Sequence, residues 1–248
     1  MISQSLCRQF YLCVSVLFVG GCGASHSATS PTRQPVGSAI ERAAQQLTPT
    51  PRPSTGSPFL DQFVAAAIDR TNHQVRYDAT YFKIDYPGGD VPVEVGVCTD
   101  EVIRSYRKVG VDLQKEVHED MKSNFGLYPR QWGLTKPDTN IDHRRVPNLM
   151  VFFGRKGEEL PITDSAKDYA PGDIVTWDLG DGLTHIGIVV HVASSADSNR
   201  YMIVHNIGAG PKMEDVLFGW KITGHYRYTG LPPPRPQSSR QPERVRGN

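Results

Sequence analysis

Apolar and polar positions follow two different periods along this chain. After Cys98, the residues Val102, Ile103, Tyr106 and Val109 recur at helical spacing. Thr99, Asp100 and Glu101 precede them as helix-start residues and Gly110 follows as a stop, which predicts a helix over about 99–109. Another helix is expected near Phe59–Thr71. Further on the period changes. Asp173–Leu179, Thr184–Val190 and Met202–Asn206 are rich in β-branched residues, and Gly180-Asp181-Gly182-Leu183 separates the first two. This reads as an antiparallel meander. Leading helices followed by a small sheet over about 172–228 predict an α+β domain, with the Cys98 helix packed on the sheet.

The ends of the chain have a different character. After Arg8 an apolar run extends from Phe10 to Val19, shorter than the roughly 20 residues of a membrane span. A positive charge followed by a short apolar stretch is the layout of a secretory signal, here over 1–22. It ends in Val19-Gly20-Gly21-Cys22, and small residues directly before a cysteine resemble the lipobox of bacterial lipoproteins. That resemblance implies cleavage before Cys22 and a lipid on its thiol, hence a membrane anchor; an ordinary signal peptide with an incidental cysteine is the alternative. Gly23 stands where an Asp would signal inner-membrane retention in that family, which favours an outer-membrane anchor; the expected location is the periplasm or the outer membrane.

Residues 23–57 are rich in Ser, Thr, Pro, Gln and Ala, and 229–248 form a Pro-rich basic tail. Neither buries enough apolar surface to offset its ordering entropy, so both are expected to be disordered. Residues 58–228 remain as one domain. A formal net charge of +1 gives no argument for a nucleic-acid partner. No zinc-type cysteine pair or phosphate-binding glycine loop occurs, so neither a metal nor a cofactor is expected.

Of four cysteines, only Cys98 lies in the domain. An unpaired cysteine in an exported protein is either buried and inert or kept for its reactivity. At a helix N-terminus, free N–H groups and the helix dipole favour a thiolate and offer part of an oxyanion hole. Asp100 and Glu101 oppose the thiolate, so a neighbouring base is required. The loop Tyr86-Pro87-Gly88-Gly89-Asp90-Val91-Pro92 would set the turn at a cleft. Among eight histidines, His185 and His205 mark strand ends. His185 fits the base, and His205 or Asn206 the group that orients its ring.

Thr184-His185-Ile186-Gly187-Ile188-Val189 and Pro171-Gly172-Asp173-Ile174-Val175 resemble the histidine strand of the NlpC-type cell-wall cysteine peptidases and the strand before it. Ile203-Val204-His205 is similar to the strand that supplies their third catalytic residue. More closely, the chain resembles a bacterial family of unknown function, DUF 1287, of the same papain-like clan. The matching stretches are 86–92, Gly96-Val97-Cys98-Thr99-Asp100, Asp138-Thr139-Asn140-Ile141-Asp142-His143-Arg144-Arg145 and Val204-His205-Asn206-Ile207-Gly208-Ala209-Gly210. The resemblance implies a papain-like, NlpC-type fold with a Cys98–His185 dyad completed by His205. It also implies amide hydrolysis through a thioacyl-enzyme, with peptidoglycan or another cell-envelope peptide as substrate partner. Val97-Cys98-Thr99 departs from the Asp-Cys-Ser usual at the NlpC nucleophile, and the insert over 112–169 is long, so substrate class transfers less well than the dyad.

Within the insert, His118, Asp120, Asp142 and His143 match no metal signature and read as surface polar residues rather than ligands. Arg144 and Arg145 are candidates for gripping a substrate carboxylate or for a structural ion pair. Trp177 and Trp132 line a cleft or belong to the core. His73, His191 and His225 are expected to have no catalytic part. Two rivals stay open: an acyltransferase or thioesterase using the same dyad on lipid or lipoprotein, and a non-catalytic envelope-binding module with Cys98 as a buried relic.

Overall fold

A computed structural model describes residues 54–230. The signal segment, Cys22, most of the linker and most of the basic tail lie outside the described residues. The last linker residues, 54–57, belong to the domain. Ser57 caps helix α1 (Pro58–Arg70) by accepting the Leu60 N–H, and Asp61 accepts from the Thr55 N–H at 2.6 Å and from the Ser54 hydroxyl at 2.7 Å. Leu60, Phe63, Val64 and Ala67 form its buried stripe.

Two short strands, β1 (Arg76–Tyr77) and β2 (Val95–Gly96), pair in parallel and lead into helix α2 (Cys98–Lys108). Asp100 starts this helix by accepting the Val97 N–H at 2.7 Å, and Gly110 follows it with φ +84°. Helices α3 (Leu113–Asn124) and α4 (Val146–Lys156) come from the insert. A six-stranded sheet follows: β3 (Glu158–Glu159), β4 (Ile174–Asp178), β5 (Thr184–Ala193), β6 (Tyr201–His205), β7 (Lys212–Glu214) and β8 (Lys221–Arg227). Its order is β3-β8-β4-β5-β6-β7, with every pairing antiparallel. The fold is thus α+β, with the expected meander over β4–β6, β7 added beyond β6 and two strands added beyond β4.

Alternation along the strands divides the core. Ile174, Ile186, Ile188, Val190, Val204 and Tyr226 meet the helices, whereas Val175, Trp177, Val189 and Ile203 meet Tyr169 and Leu217 on the other face. Aromatic rings bind α1, α2 and α4 to Tyr228, just after β8. Phe63 stacks on Tyr106 with centroids 4.2 Å apart, Phe152 meets Tyr228 edge-on at 5.4 Å, and the Tyr106 hydroxyl donates to the Tyr228 carbonyl at 3.0 Å.

Candidate active site

Cys98 is the first residue of α2 and is 5 % exposed. The side chain joins the helix-facing core, and the backbone N–H of Ile186 points at its sulfur. The reason lies in strand lengths. The β5–β6 ladder is registered at Ile188–Val204 and Val189–Ile203, and β6 ends at His205. The Ile186 N–H therefore lies past the end of β6, close to the Cys98 sulfur. The nucleophile candidate so rests against the peptide that joins His185 to Ile186. No hydrogen bond between the sulfur and the His185 ring occurs among the described residues.

The thiol is not the helix-activated thiolate that its position suggests. Burial pushes its pKa up to about 12; the Ile186 N–H pulls the other way, Asp100 adds to the rise, and the N–H groups of Thr99 and Cys98 oppose it. Loss of hydration outweighs the helix dipole because the sulfur is shut away from water. Burial, and then His205, likewise lower His185 to about 3. At neutral pH the resting pair is a neutral thiol and a neutral imidazole.

His185 and His205 come together at the Ile186 end of β5, flanked by Trp177 and Trp220. His185 Nε2 lies 2.8 Å from His205 Nδ1, and His205 Nε2 lies 3.0 Å from Glu214 Oε2. Gly187 makes this approach possible: a Cβ there would sit 2.6 Å from Ile203 Cγ2 and 3.2 Å from His205 Cβ. Trp220 covers both rings, its centroid 5.8 Å from His185 and 6.2 Å from His205. Of the two candidates for orienting His185, His205 makes the contact. Asn206 is fully buried and accepts the Gly208 N–H at 3.1 Å.

The substrate-binding candidates fare differently. Arg144 does not offer a free fork. Its Nε and Nη2 grip Asp100 at 2.8 and 2.9 Å, with both side chains 2 % exposed. The same guanidinium donates to the carbonyls of Thr80 and Asp78, and the Thr99 hydroxyl donates to the Arg144 carbonyl at 3.0 Å. This is the structural ion pair, tying the Asp78–Thr80 loop to the residues beside Cys98. Arg145 lies over Trp132, 4.1 Å from the ring centroid, and 3.4 Å from Asp142. Of the two readings of Trp177, cleft or core, the core one holds: it is fully buried, and its indole N–H donates to the Leu217 carbonyl at 2.9 Å. Its ring lies beside His185, with centroids 5.8 Å apart.

Of the four insert residues expected at the surface, only His118 is not buried. Asp120, Asp142 and His143 are buried. Asp120 is taken up by Arg155, Lys156 and Tyr128, so its oxygens serve packing. His225 bridges Asp173 at 2.9 Å and the Pro161 carbonyl at 3.0 Å, a structural part.

Three residues near the site carry no motif signal. Glu214 and Trp220 arrive from the β7 strand and the segment after it; Gly187 stands inside the histidine-strand motif, but its packing role is not legible there. Tyr77 is the third. It pairs with Gly96, two residues before Cys98, and its phenol pKa is raised to about 12, first by burial and then by the Cys98 sulfur and Asp100. It is 40 % exposed, so it forms a wall open to solvent.

The comparisons agree with the family that the motifs resemble. Residues 64–228 match a family model described as "Domain of unknown function (DUF1287)". The protein named "Uncharacterized protein YijF" of Escherichia coli (strain K12) is 54 % identical over 152 residues, 61 % of this chain and 73 % of that protein. Among solved structures, a protein of Staphylococcus aureus described as similar to lipoprotein, NLP/P60 family, aligns at 14 % identity with a TM-score of 0.33. The alignment covers 76 % of this chain, which spans 47 % of the other.

Proposed function

The chain belongs to the DUF1287 family, and from that premise we propose that it is an exported cysteine hydrolase that opens amide bonds in peptidoglycan peptides. The observation that carries the reading is the placing of the Cys98 sulfur against the His185–Ile186 peptide, with the His185 ring held by His205.

In the proposed reaction His185 acts as general base. The pair rests uncharged, so the thiol proton passes to Nδ1 of His185 as sulfur attacks the carbonyl. The oxyanion is met by first-turn N–H groups of α2, which have no partner within the helix. The imidazolium then protonates the leaving amine, and a thioester remains on Cys98. Water, deprotonated by His185, attacks it; the acid leaves and the thiol is restored. Export and anchoring through Cys22 belong to the same reading and rest on the N-terminal pattern, as does the envelope substrate.

The test is turnover. The purified chain is incubated with defined muropeptides, acylated lipids and a lipopeptide, and products are resolved by mass spectrometry. Amine release from muropeptides that vanishes in Cys98→Ala and His185→Ala supports the reading. Acyl transfer from lipid alone would replace it with a transferase. Cell-wall binding without turnover, undiminished in Cys98→Ala, would leave a binding module.

A further inference from the structure

The reading of Cys98 and His185 as nucleophile and base leaves one question of protons. A base at His185 needs a bare ring nitrogen, yet a neutral imidazole carries its proton on either side. Which side is set by the partner of the other nitrogen. His185 Nε2 faces His205 Nδ1 at 2.8 Å, and one proton must lie between these two atoms. If it sits on His205, His185 Nε2 accepts and Nδ1 is the protonated nitrogen, which removes the base.

Glu214 resolves the choice. Its carboxylate oxygen lies 3.0 Å from His205 Nε2, and a carboxylate only accepts. His205 therefore carries its proton on Nε2 and presents a bare Nδ1. His185 must then donate through Nε2, leaving its Nδ1 bare for the Cys98 proton. Burial lowers the pKa of His205 against the pull of Glu214, so it has one proton to place. The arrangement also suits the imidazolium formed during the reaction, which again donates through Nε2.

The sheet builds this chain of contacts. Glu214 pairs with Ile203 in register, so it shares a sheet face with His205 and reaches it diagonally. The other charge beside His205 is Lys212, its direct partner on β7, which opposes a second proton on the ring. Trp220 closes the flank without a charge. Glu214 itself is 41 % exposed in its side chain, so it makes little contribution to the core.

We propose that Glu214 is a positioning residue: it selects the tautomer of His205 and, through it, keeps Nδ1 of His185 free as the base. It touches neither sulfur nor substrate.

The experiment reads the tautomers directly. In the full chain, 15N-labelled at histidine, the ring nitrogens of His185 and His205 are assigned by long-range nitrogen–proton correlation, using His185→Gln and His205→Gln spectra. In the wild type, Nδ1 of both rings is expected to be unprotonated and Nε2 protonated. Glu214→Ala is expected to mix the tautomers and to slow Cys98-dependent turnover about tenfold or more, with an unchanged melting temperature. Glu214→Gln, which keeps a carbonyl acceptor, is expected to restore much of both. A protonated Nδ1 on wild-type His205, or Glu214→Ala spectra with the wild-type tautomers, would overturn the assignment. The spectra need no substrate, so a wild type without turnover would defeat the hydrolase reading while leaving the tautomer result to stand or fall by itself.

Discussion

Replacing Arg144 by Met tests whether this arginine is the structural partner of Asp100 rather than a substrate grip. The guanidinium makes two bonds to the carboxylate and both side chains are 2 % exposed, so the substitution leaves a buried carboxylate with the Val97 N–H as its remaining donor. Breaking a buried pair from one side costs about 3–5 kcal/mol. For a domain of this size each kcal/mol moves the melting temperature by about 2–4 °C, so a fall of about 6–20 °C is expected. Asp100→Asn removes the charge while keeping an acceptor for the Val97 N–H. The double variant Asp100→Asn/Arg144→Met should then be less destabilised than the two single losses together, since no isolated charge remains. Thermal and urea unfolding of the four proteins gives the cycle. A loss of under about 1 kcal/mol for Arg144→Met, the range of exposed pairs, would refute the argument, as would additive losses. A normal melting temperature with a raised KM for carboxylate-bearing substrates would restore the substrate grip.

Further predictions concern the site and its pH response. Gly187→Ala drives a Cβ against Ile203 and His205; an overpacking cost of about 1–3 kcal/mol is expected by urea unfolding, with turnover reduced further than that loss explains. Alkylation of Cys98 should keep rising beyond pH 9, because burial holds the thiol up near 12; a plateau reached below pH 8 would show a resting thiolate instead. His143 and His185 are both lowered to about 3, chiefly by burial, so the unfolded chain binds the additional protons below its ordinary 6.5. Their contribution is complete above pH 6.5 and is lost as pH falls toward 3. Asp142, raised to about 6, gains stability in the opposite sense as pH falls from 6 to 3.8. The net expectation is a loss of about 2–3 kcal/mol between pH 6.5 and 5, with a shallower slope in His143→Gln; a flat profile would contradict the buried neutral histidines. Cys22→Ala should abolish incorporation of labelled fatty acid into the chain expressed in a bacterial host, and retained label would remove the lipid-anchor reading.

The local order of this domain was legible in its sequence. Helical spacing from Val102 to Val109 and the β-branched runs before and after Gly180–Leu183 yield α2 and the β4–β5–β6 meander, because each pattern answers to a period of its own backbone. The choice of Cys98, His185 and His205 could be made the same way, from a lone cysteine at a helix start and histidines at strand ends. Only the folded chain decided what those side chains experience. Helix position argued for an activated thiolate, but desolvation is a property of everything packed around the sulfur, and it prevails. Trp177 and Arg144 carry the right chemistry for a cleft, yet strand alternation turns one into the core and Asp100 captures the other. Glu214, Trp220 and Tyr77 left no motif, and Gly187 stood in one that did not show its packing role, since their parts depend on the diagonal register of β6 on β7, the close approach of β5 to β6, and the pairing of β1 with β2 just before the α2 N-terminus. Patterns along a chain specify which face each element turns inward; distances between elements arise from their mutual packing.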